Sequence, residues 1–155
     1  MERPRLQIIR GMPGSGKSTL ALKKFPSLLR FETDMFFTRG GKYVFTKKLN
    51  DKAVLWFEDM VFDCTCCKMD FVVTGVFAAH TERLEYCIQM ALDAGYDVYI
   101  KTLTANFGNV HNVPQAHLDA MRAAFVSEDN LKVKYRRFKH VHFGLMDNHL
   151  KVIGN

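Results

Sequence analysis

The sequence predicts an α/β fold of three layers, in which a mainly parallel central sheet of about five strands lies between helices. Three observations lead to this prediction. Short apolar runs with strand character alternate with helical segments, which is typical of a parallel sheet covered on both faces. A glycine-rich loop joins the first apolar run to the first helical segment. Of the 155 residues, 48% are hydrophobic, which suffices for one core, so we expect one domain over 1–155.

The predicted elements follow from hydrophobic periodicity and from helix start and stop residues. Strands are assigned to short apolar or alternating runs, and helices to apolar residues spaced three or four apart. In chain order they are a strand over 6–10, a helix over 17–24, a strand over 28–31, a loop over 38–46, a helix over 47–68, a strand over 71–75, a helix over 82–94, a strand over 96–102, a loop over 103–113 and a helix over 114–126. Pro26 ends the first helix, Thr81 is a candidate N-cap and Pro114 a candidate first helical residue.

Three groups of residues are interpreted as structural. Trp56 belongs to the apolar stripe of the helix over 47–68, which favours a core position over a base-stacking platform. His140 and His142 alternate with apolar residues, which indicates a strand with both imidazoles on one face, although the tail after residue 127 permits either strand or helix. The four cysteines are Cys64, Cys66, Cys67 and Cys87. No second ligand pair accompanies the C-x-x-C spacing, so we expect reduced thiols.

A complete Walker A motif occupies residues 11–18, which read Gly-Met-Pro-Gly-Ser-Gly-Lys-Ser. It follows a predicted strand and opens a predicted helix, the setting in which this motif wraps phosphates in backbone N–H groups. Lys17 is expected to reach the β- and γ-phosphates, and Ser18 to place its hydroxyl on Mg²⁺. The predicted site for ATP, or another nucleoside triphosphate, consists of Gly11, Met12, Pro13, Gly14, Ser15, Gly16, Lys17, Ser18 and Thr19.

The acidic residues are sorted by the strand ends they follow. Ligands of parallel α/β sheets bind beyond the carboxyl ends of the strands. Asp34 comes just after the second predicted strand, whereas Asp70 precedes its strand. Phosphoryl transfer to a hydroxyl needs a carboxylate near the attacking oxygen. We therefore predict Asp34 as the general base, acting with Lys17, and Glu32 as the alternative base.

The strand over 71–75 ends without an acidic residue. Many Walker A proteins carry an acid at such a strand end to hold the water shell of the metal, but this chain has Thr74 and Gly75 there. Either Asp34 supports the metal or Thr74 holds a water molecule. The absence of an acidic residue at this strand end fits an ATPase less well than a kinase, because an ATPase must activate water.

Net charge and hydropathy limit the kinds of partner that we expect. The 22 basic and 16 acidic residues give a net charge of +6, which favours a phosphate-rich partner such as DNA or RNA as substrate. The basic tail supplies candidates to track a nucleic-acid backbone, or it forms a solvated strand face. These tail residues are Lys132, Lys134, Arg136 and Arg137. No apolar stretch has the length of a membrane span and no signal-peptide pattern opens the chain, so we expect no membrane partner and a cytoplasmic location, in the host cytoplasm if the source is viral.

At this point the sequence resembles the polynucleotide-kinase-like P-loop kinases, many of them from phages, within the zeta-type P-loop kinase superfamily. The resemblance rests on residues 8–20, on Thr-Asp-Met-Phe-Phe at 33–37, on 41–45, on 95–98, and on Asn-Val-His-Asn-Val-Pro at 109–114. It implies a P-loop kinase-like fold and transfer of the γ-phosphate of a nucleoside triphosphate to a hydroxyl, often the 5′-hydroxyl of DNA or RNA. It further implies that Asp34 is the general base and that Lys17 and Ser18 hold phosphates and Mg²⁺.

Two departures from the family pattern bear on activity. Relatives usually have an acidic or amide-rich strand end where this chain has residues 74–77. They also carry arginines that neutralise the transferring phosphate, whereas residues 104–114 contain neither arginine nor lysine. Candidates for the missing charge are Arg39, Lys42, Arg83 and Arg122, with His111 as a weaker donor. Each of the four cations is also readily explained as a solvated surface charge.

Three functions stay open at the level of sequence. The leading hypothesis is a polynucleotide kinase acting on a 5′-hydroxyl end. The second is a kinase of a nucleoside, a small molecule or a hydroxymethylated base in DNA. The third is a nucleotide-binding module without kinase activity, which the missing arginines favour and the presence of Asp34 opposes.

Overall fold

A computed structural model describes residues 2–77, 82–108 and 113–146, with the side chain of Arg39 left out. Its strands are β1 (Arg5–Gly11), β2 (Leu29–Phe31), β3 (Thr38–Arg39), β4 (Lys42–Tyr43), β5 (Phe71–Gly75), β6 (Asp97–Leu103) and β7 (Val141–Phe143). Its α-helices are α1 (Lys17–Lys24), α2 (Asn50–Cys66), α3 (Glu82–Asp93), α4 (Gln115–Ala124) and α5 (Glu128–Lys134). Short 3₁₀ segments cover Thr33–Phe37 and Lys47–Leu49. Within the described part of the chain, no helix is long and apolar enough to span a bilayer.

The central sheet has five parallel strands in the order β2-β5-β1-β6-β7. Strand β1 lies in the middle, with β5 on one side and β6 on the other. The chain leaves β1 for β2 on one side and later returns to β6 on the other, so the direction of winding reverses at β1. Ligands of open α/β sheets bind at such a reversal, beyond the carboxyl ends of the strands. The Walker A loop follows β1 and therefore lies at this position.

Apolar residues cover both faces of the sheet. Successive side chains of β1 point to opposite faces, so each one shows which apolar cluster lies on its face. Leu6 and Ile8 face a large core that contains apolar residues of α2, α3 and α5. Ile9 faces the opposite side, where Ala21 and Phe25 of the α1 region pack against the sheet. The prediction of a three-layer α/β fold with a parallel sheet of about five strands is confirmed.

Arg10 is a fully buried cation near the end of β1. Its guanidinium donates to the carbonyl oxygens of Phe77 at 3.0 Å and Val126 at 2.6 Å, and to the Thr102 hydroxyl at 3.1 Å. The Phe125 ring lies 4.2 Å from the guanidinium carbon, close enough for a cation–π contact. Burial lowers the pKa of Arg10 to about 10, and the charge of Glu128 opposes that effect. One side chain thus joins three distant segments beneath the Walker A loop.

The basic tail forms both kinds of element that its pattern permitted. Residues 128–134 form α5, and Val141–Phe143 pair with β6 as the edge strand β7. His140 and His142 meet on one carboxylate, since their Nδ1 and Nε2 atoms lie 2.9 and 3.2 Å from Oδ1 of Asp97. The expectation that both imidazoles share a face is therefore confirmed. The tail completes the sheet with its fifth strand.

Some predicted boundaries were wrong. The loop expected over 38–46 contains the antiparallel hairpin of β3 and β4, whose two-residue turn is made of glycines at φ 56° and 79°. Pro114 is the residue before α4 rather than its first residue, with an extended ψ of 140°. The helix expected from 47 begins at Asn50, after a 3₁₀ turn. The predicted cap Thr81 and the loop residues 109–112 lie outside the described residues.

Candidate active site

The Walker A loop has the backbone needed to cradle phosphates. Gly14 and Gly16 adopt positive φ angles of 80° and 91°, which side chains other than glycine rarely adopt. The amide of Ser15 donates to the carbonyl of Met12 at 3.1 Å, which closes the loop on itself. Gly16 is followed directly by α1, so the free N–H groups at the start of that helix face the cradle. Thr19 is exposed on the first turn of α1.

Lys17 lies within the electrostatic influence of two carboxylates. Its Nζ donates to the Met12 carbonyl at 3.1 Å, so the side chain is folded back along the loop. Burial lowers the pKa of Lys17, while the charges of Glu32 and Asp34 raise it. Two acidic groups therefore face the amine that is expected to bind phosphates.

Glu32 occupies the position that the sequence left without an acid. The Thr74 hydroxyl donates to its Oε2 at 2.9 Å, and the Ser18 hydroxyl donates to its Oε1 at 3.2 Å. Arg30 forms an ion pair with the same carboxylate at 2.8 Å. The strand pairing of Phe31 with Val73 explains the arrangement, because the residues that follow in each strand are neighbours. An acid therefore reaches the end of β5 from the adjacent strand β2.

This finding revises the earlier interpretation of Glu32 and Thr74. Neither of the two explanations for the missing acid is needed, since Thr74 contacts a carboxylate directly. Sequence reasoning missed this role for Glu32 because the order of the strands was not known. The position of Glu32 directly after the second strand was the signal in the sequence that could have indicated this role.

Asp34 lies on the 3₁₀ segment that follows β2, at the same edge of the sheet as the Walker A loop. The Tyr43 hydroxyl of the hairpin donates to Oδ1 of Asp34 at 3.5 Å. The Thr38 hydroxyl donates to the backbone carbonyl of Asp34 at 3.0 Å. Burial and the neighbouring Asp34 carboxylate raise the pKa of Tyr43 to about 12. The phenol therefore stays protonated at neutral pH and serves as a donor to Asp34. The hairpin thus fixes the carboxylate from one side.

Of the cations considered for phosphate neutralisation, Arg83 has a described side chain that interacts electrostatically with Asp34. It is half-buried at the start of α3, and burial lowers its pKa while the charges of Cys87, Glu58 and Asp34 oppose that effect. Its Nε is buried and has no hydrogen-bond partner among the described residues. Arg122, by contrast, is 60% exposed and lies 4.0 Å from Asp119 on its own helix. The Arg39 side chain and His111 lie outside the described residues, and Lys42 is exposed.

The loop between β6 and α4 contacts the Walker A loop. The amide of Phe107 donates to the Gly14 carbonyl at 2.8 Å. A Cβ placed on Gly14 would lie 1.7 Å from the Gly108 carbonyl oxygen, so only glycine fits there. Helix α4, which follows this loop, buries none of its side chains. Phe107 and Gly108, on this loop, therefore lie directly against the phosphate cradle at Gly14.

The lysines of the basic tail have partners in the structure. Lys132 lies 3.8 Å from Glu128, and Lys134 forms an ion pair with Glu85 of α3. Arg136 and Arg137 are exposed. The pairing of the lysines reduces the positive charge that this segment offers to a nucleic acid, because exposed ion pairs are partly neutralised locally.

The donor set fits a magnesium nucleotide. Mg²⁺ prefers oxygen ligands, keeps several waters and is bound in proteins through one or two carboxylates together with substrate phosphates. Ser18 and Glu32 supply a hydroxyl and a carboxylate 3.2 Å apart beside the phosphate cradle. Ser18 is the residue that would hold the ion, and Glu32 would order its water shell.

Comparison with solved structures defines the fold as P-loop kinase-like. Two structures of the Pnkp1/Rnl/Hen1 complex, one of them described as an RNA repair complex, contain a similar chain at a TM-score of 0.52 and 18% and 17% identity. The similarity covers 83% and 90% of this chain, which spans less than half of those longer chains, 41% and 48%. A gluconokinase from Sinorhizobium meliloti 1021 is similar at a TM-score of 0.52 and 13% identity, over 92% of this chain and 83% of that one. No protein-family model matches the chain. At such identities the similarity shows the fold, as the sequence resemblance implied.

Proposed function

We propose that this protein is an ATP-dependent phosphotransferase that moves the γ-phosphate to the 5′-hydroxyl of a polynucleotide. One observation carries the proposal: a Walker A loop, a carboxylate bonded to its serine, and a second carboxylate held by a tyrosine lie at one edge of the sheet. The first two bind the magnesium nucleotide. The second carboxylate is the group that transfer to a hydroxyl requires.

In the proposed mechanism the Walker A loop and Lys17 bind the triphosphate. Ser18 would hold Mg²⁺, which would supply positive charge at the phosphates. The Asp34 carboxylate accepts the proton of the acceptor hydroxyl, and the acceptor oxygen forms a bond to the γ-phosphorus. The bond from that phosphorus to the bridging oxygen breaks, and the nucleoside diphosphate leaves. Besides Lys17, Arg83 is the cation that we assign to stabilise charge on the transferring group, because its charge interacts with that of Asp34.

Tyr43 positions Asp34 in this mechanism. Tyr43 donates a hydrogen bond to Oδ1 of Asp34 at 3.5 Å, which orients the carboxylate that accepts the proton of the acceptor hydroxyl.

The surface next to Asp34 supports a polynucleotide acceptor. Val44 and Phe45, after the hairpin, are 55% and 53% exposed, and the Phe45 ring packs against Phe37 at 5.1 Å between centroids. Exposed lysines flank these residues, namely Lys42, Lys47 and Lys48. Aromatic rings with nearby amines suit single-stranded nucleic acid, since bases stack on the rings and phosphates meet the charges. The similarity in fold to a chain of an RNA repair complex is consistent with this acceptor.

The test offers labelled ATP and Mg²⁺ with several acceptors in parallel. These are 5′-hydroxyl DNA and RNA oligonucleotides, the same oligonucleotides already phosphorylated at the 5′ end, nucleosides, gluconate, and duplex DNA with hydroxymethylated bases. We expect label only on the 5′-hydroxyl oligonucleotides. Label on gluconate, a nucleoside or a base assigns the second hypothesis instead. Nucleotide binding without label on any acceptor contradicts kinase activity and favours a nucleotide-binding module.

Two variants assign the residues in that assay. Asp34→Asn is expected to lower transfer by roughly 10²–10⁴-fold while nucleotide binding stays near normal. Lys17→Ala is expected to abolish both, because the amine that binds the phosphates is gone. The control Asp51→Asn changes an exposed carboxylate at the start of α2 and should have no effect. Equal transfer by wild type and Asp34→Asn contradicts the assignment of the base.

A further inference from the structure

Phe107 is the large apolar residue with the most exposed surface among the described residues, at 80%. It lies on the loop between β6 and α4, which contains no apolar neighbour of its size within residues 104–108. Water contact on a whole phenyl ring is unfavourable, by about 25 cal/mol per Å². The exposed ring therefore offers a binding surface that nothing in the described structure covers.

The backbone and the ring of Phe107 both lie against the phosphate cradle. The Phe107 amide donates to the Gly14 carbonyl at 2.8 Å, and a Cβ placed on Gly16 would lie 3.3 and 3.6 Å from two ring carbons. A side-chain amide oxygen of Asn106 accepts from the Gly108 amide at 3.1 Å, which shapes the turn. One edge of the ring thus touches the Walker A loop, and the rest faces solvent.

The position of the ring in the sheet order separates it from the acceptor. Asp34 follows β2, which lies on one side of β1, whereas Phe107 follows β6 on the other side. A nucleotide bound by the Walker A loop has its phosphates at β1 and its nucleoside outside the loop. The loop after β6 carries no lysine or arginine within 104–108 that could bind phosphates. Its available chemistry is an aromatic face.

We propose that Phe107 stacks on the base of the donor nucleotide. This inference rests on the proposed function only for the statement that the donor is a nucleoside triphosphate. Stacking of a base on an aromatic ring tolerates any base, because every base has a π-face. We therefore expect little discrimination between ATP, GTP and CTP at this position.

The experiment measures the Kd of magnesium ATP and of magnesium tripolyphosphate, which has no base. Base stacking on an aromatic ring is worth enough to change affinity by roughly 5- to 150-fold. Phe107→Ala should raise the Kd of ATP within that range and leave the Kd of tripolyphosphate unchanged. Phe107→Trp should restore ATP affinity, and ATP but not tripolyphosphate should quench the added indole fluorescence.

A matched control and two contrary outcomes complete the test. Phe138→Ala removes another exposed ring, which is 42% exposed and lies in the basic tail, far from the Walker A loop in sequence. This variant should change neither Kd. An equal rise in both Kd values for Phe107→Ala would assign the ring to closure of the loop and overturn the proposal, as would no change in either. Binding does not need an acceptor, so absence of phosphoryl transfer would contradict the proposed function without affecting this result.

Discussion

The hydroxyl of Thr74, on β5, lies 2.9 Å from the carboxylate of Glu32, the residue directly after β2. The Ser18 hydroxyl reaches the same carboxylate. A serine expected to hold Mg²⁺ is thus joined to an acid that the linear sequence places beside Asp34. In this chain the acid beside the phosphate cradle comes from β2 rather than β5.

Glu32→Gln tests that role. Loss of the charge should raise the Mg²⁺ concentration for half-maximal nucleotide binding by roughly 10- to 100-fold, the usual effect of residues that orient metal ligands. Thr74→Val keeps the carboxylate and removes its hydrogen bond, so it should have a smaller effect in the same direction. Titration of nucleotide affinity against Mg²⁺ measures both. An unchanged Mg²⁺ requirement in Glu32→Gln contradicts the assignment.

Gly14→Ala tests the contact between the two loops. Alanine at this position meets the Gly108 carbonyl and must displace the loop between β6 and α4. Gly40→Ala is the control, because Gly40 also has a positive φ, of 56°, but nothing lies within 4 Å of an added Cβ. Both variants should lose about 1–2 kcal/mol of stability from backbone strain, whereas only Gly14→Ala should weaken ATP binding. Thermal unfolding and calorimetry separate the two effects, and equal ATP affinity in both would exclude the contact.

Arg10→Met tests the buried cation. The variant fills the space but leaves the carbonyls of Phe77 and Val126 without their donor. Hydrogen bonds to charged groups contribute about 1.5–3 kcal/mol each, and removal of a desolvated charge offsets part of that loss. We expect a decrease of roughly 2–4 kcal/mol in the free energy of unfolding. Arg122→Met, at an exposed site, should change it by less than about 0.5 kcal/mol. Similar denaturation midpoints for the two variants would contradict the role of Arg10.

The Asp97 carboxylate gives stability a defined pH dependence. Burial alone would raise the pKa of Asp97, but hydrogen bonds from His142 and His140 and the charge of Arg3 outweigh it and place that pKa below its usual value. A lowered pKa in the folded state contributes stability above the ordinary carboxyl pKa near 4, and this contribution is lost as pH falls through the folded value.

The unfolding free energy of wild type and Asp97→Asn should therefore differ most at neutral pH and converge below pH 4. Urea unfolding across pH 7 to 2.5 measures the difference. Asp59→Asn, at an exposed position on α2, controls for the general effect of charge. A difference that stays constant with pH would show that Asp97 does not act through its ionisation.

The sequence predicted the elements that have strong periodic patterns, and the structure has them close to where they were expected. The Walker A loop, α2 and β6 are examples, because their signals are local. The hairpin of β3 and β4 was missed because its strands have two residues each, too short for alternation to be seen. The contact of Glu32 with Thr74 depends on strand order, which no local pattern contains. Asp34 was placed at the correct edge by a rule about parallel sheets, while its catalytic role stays a prediction.

The central position of β1 also dictates when the site can form. Ile8 pairs with Val73 and with Ile100, so both neighbours of the Walker A strand are made long after it during synthesis. Pairing between strands far apart in sequence is slow, because the chain between them must first be ordered. The nucleotide-binding loop emerges from the ribosome before β5 and β6 but is completed only after β6 has followed. A nascent chain that ends before residue 97 should therefore fail to retain nucleotide, however complete its Walker A motif.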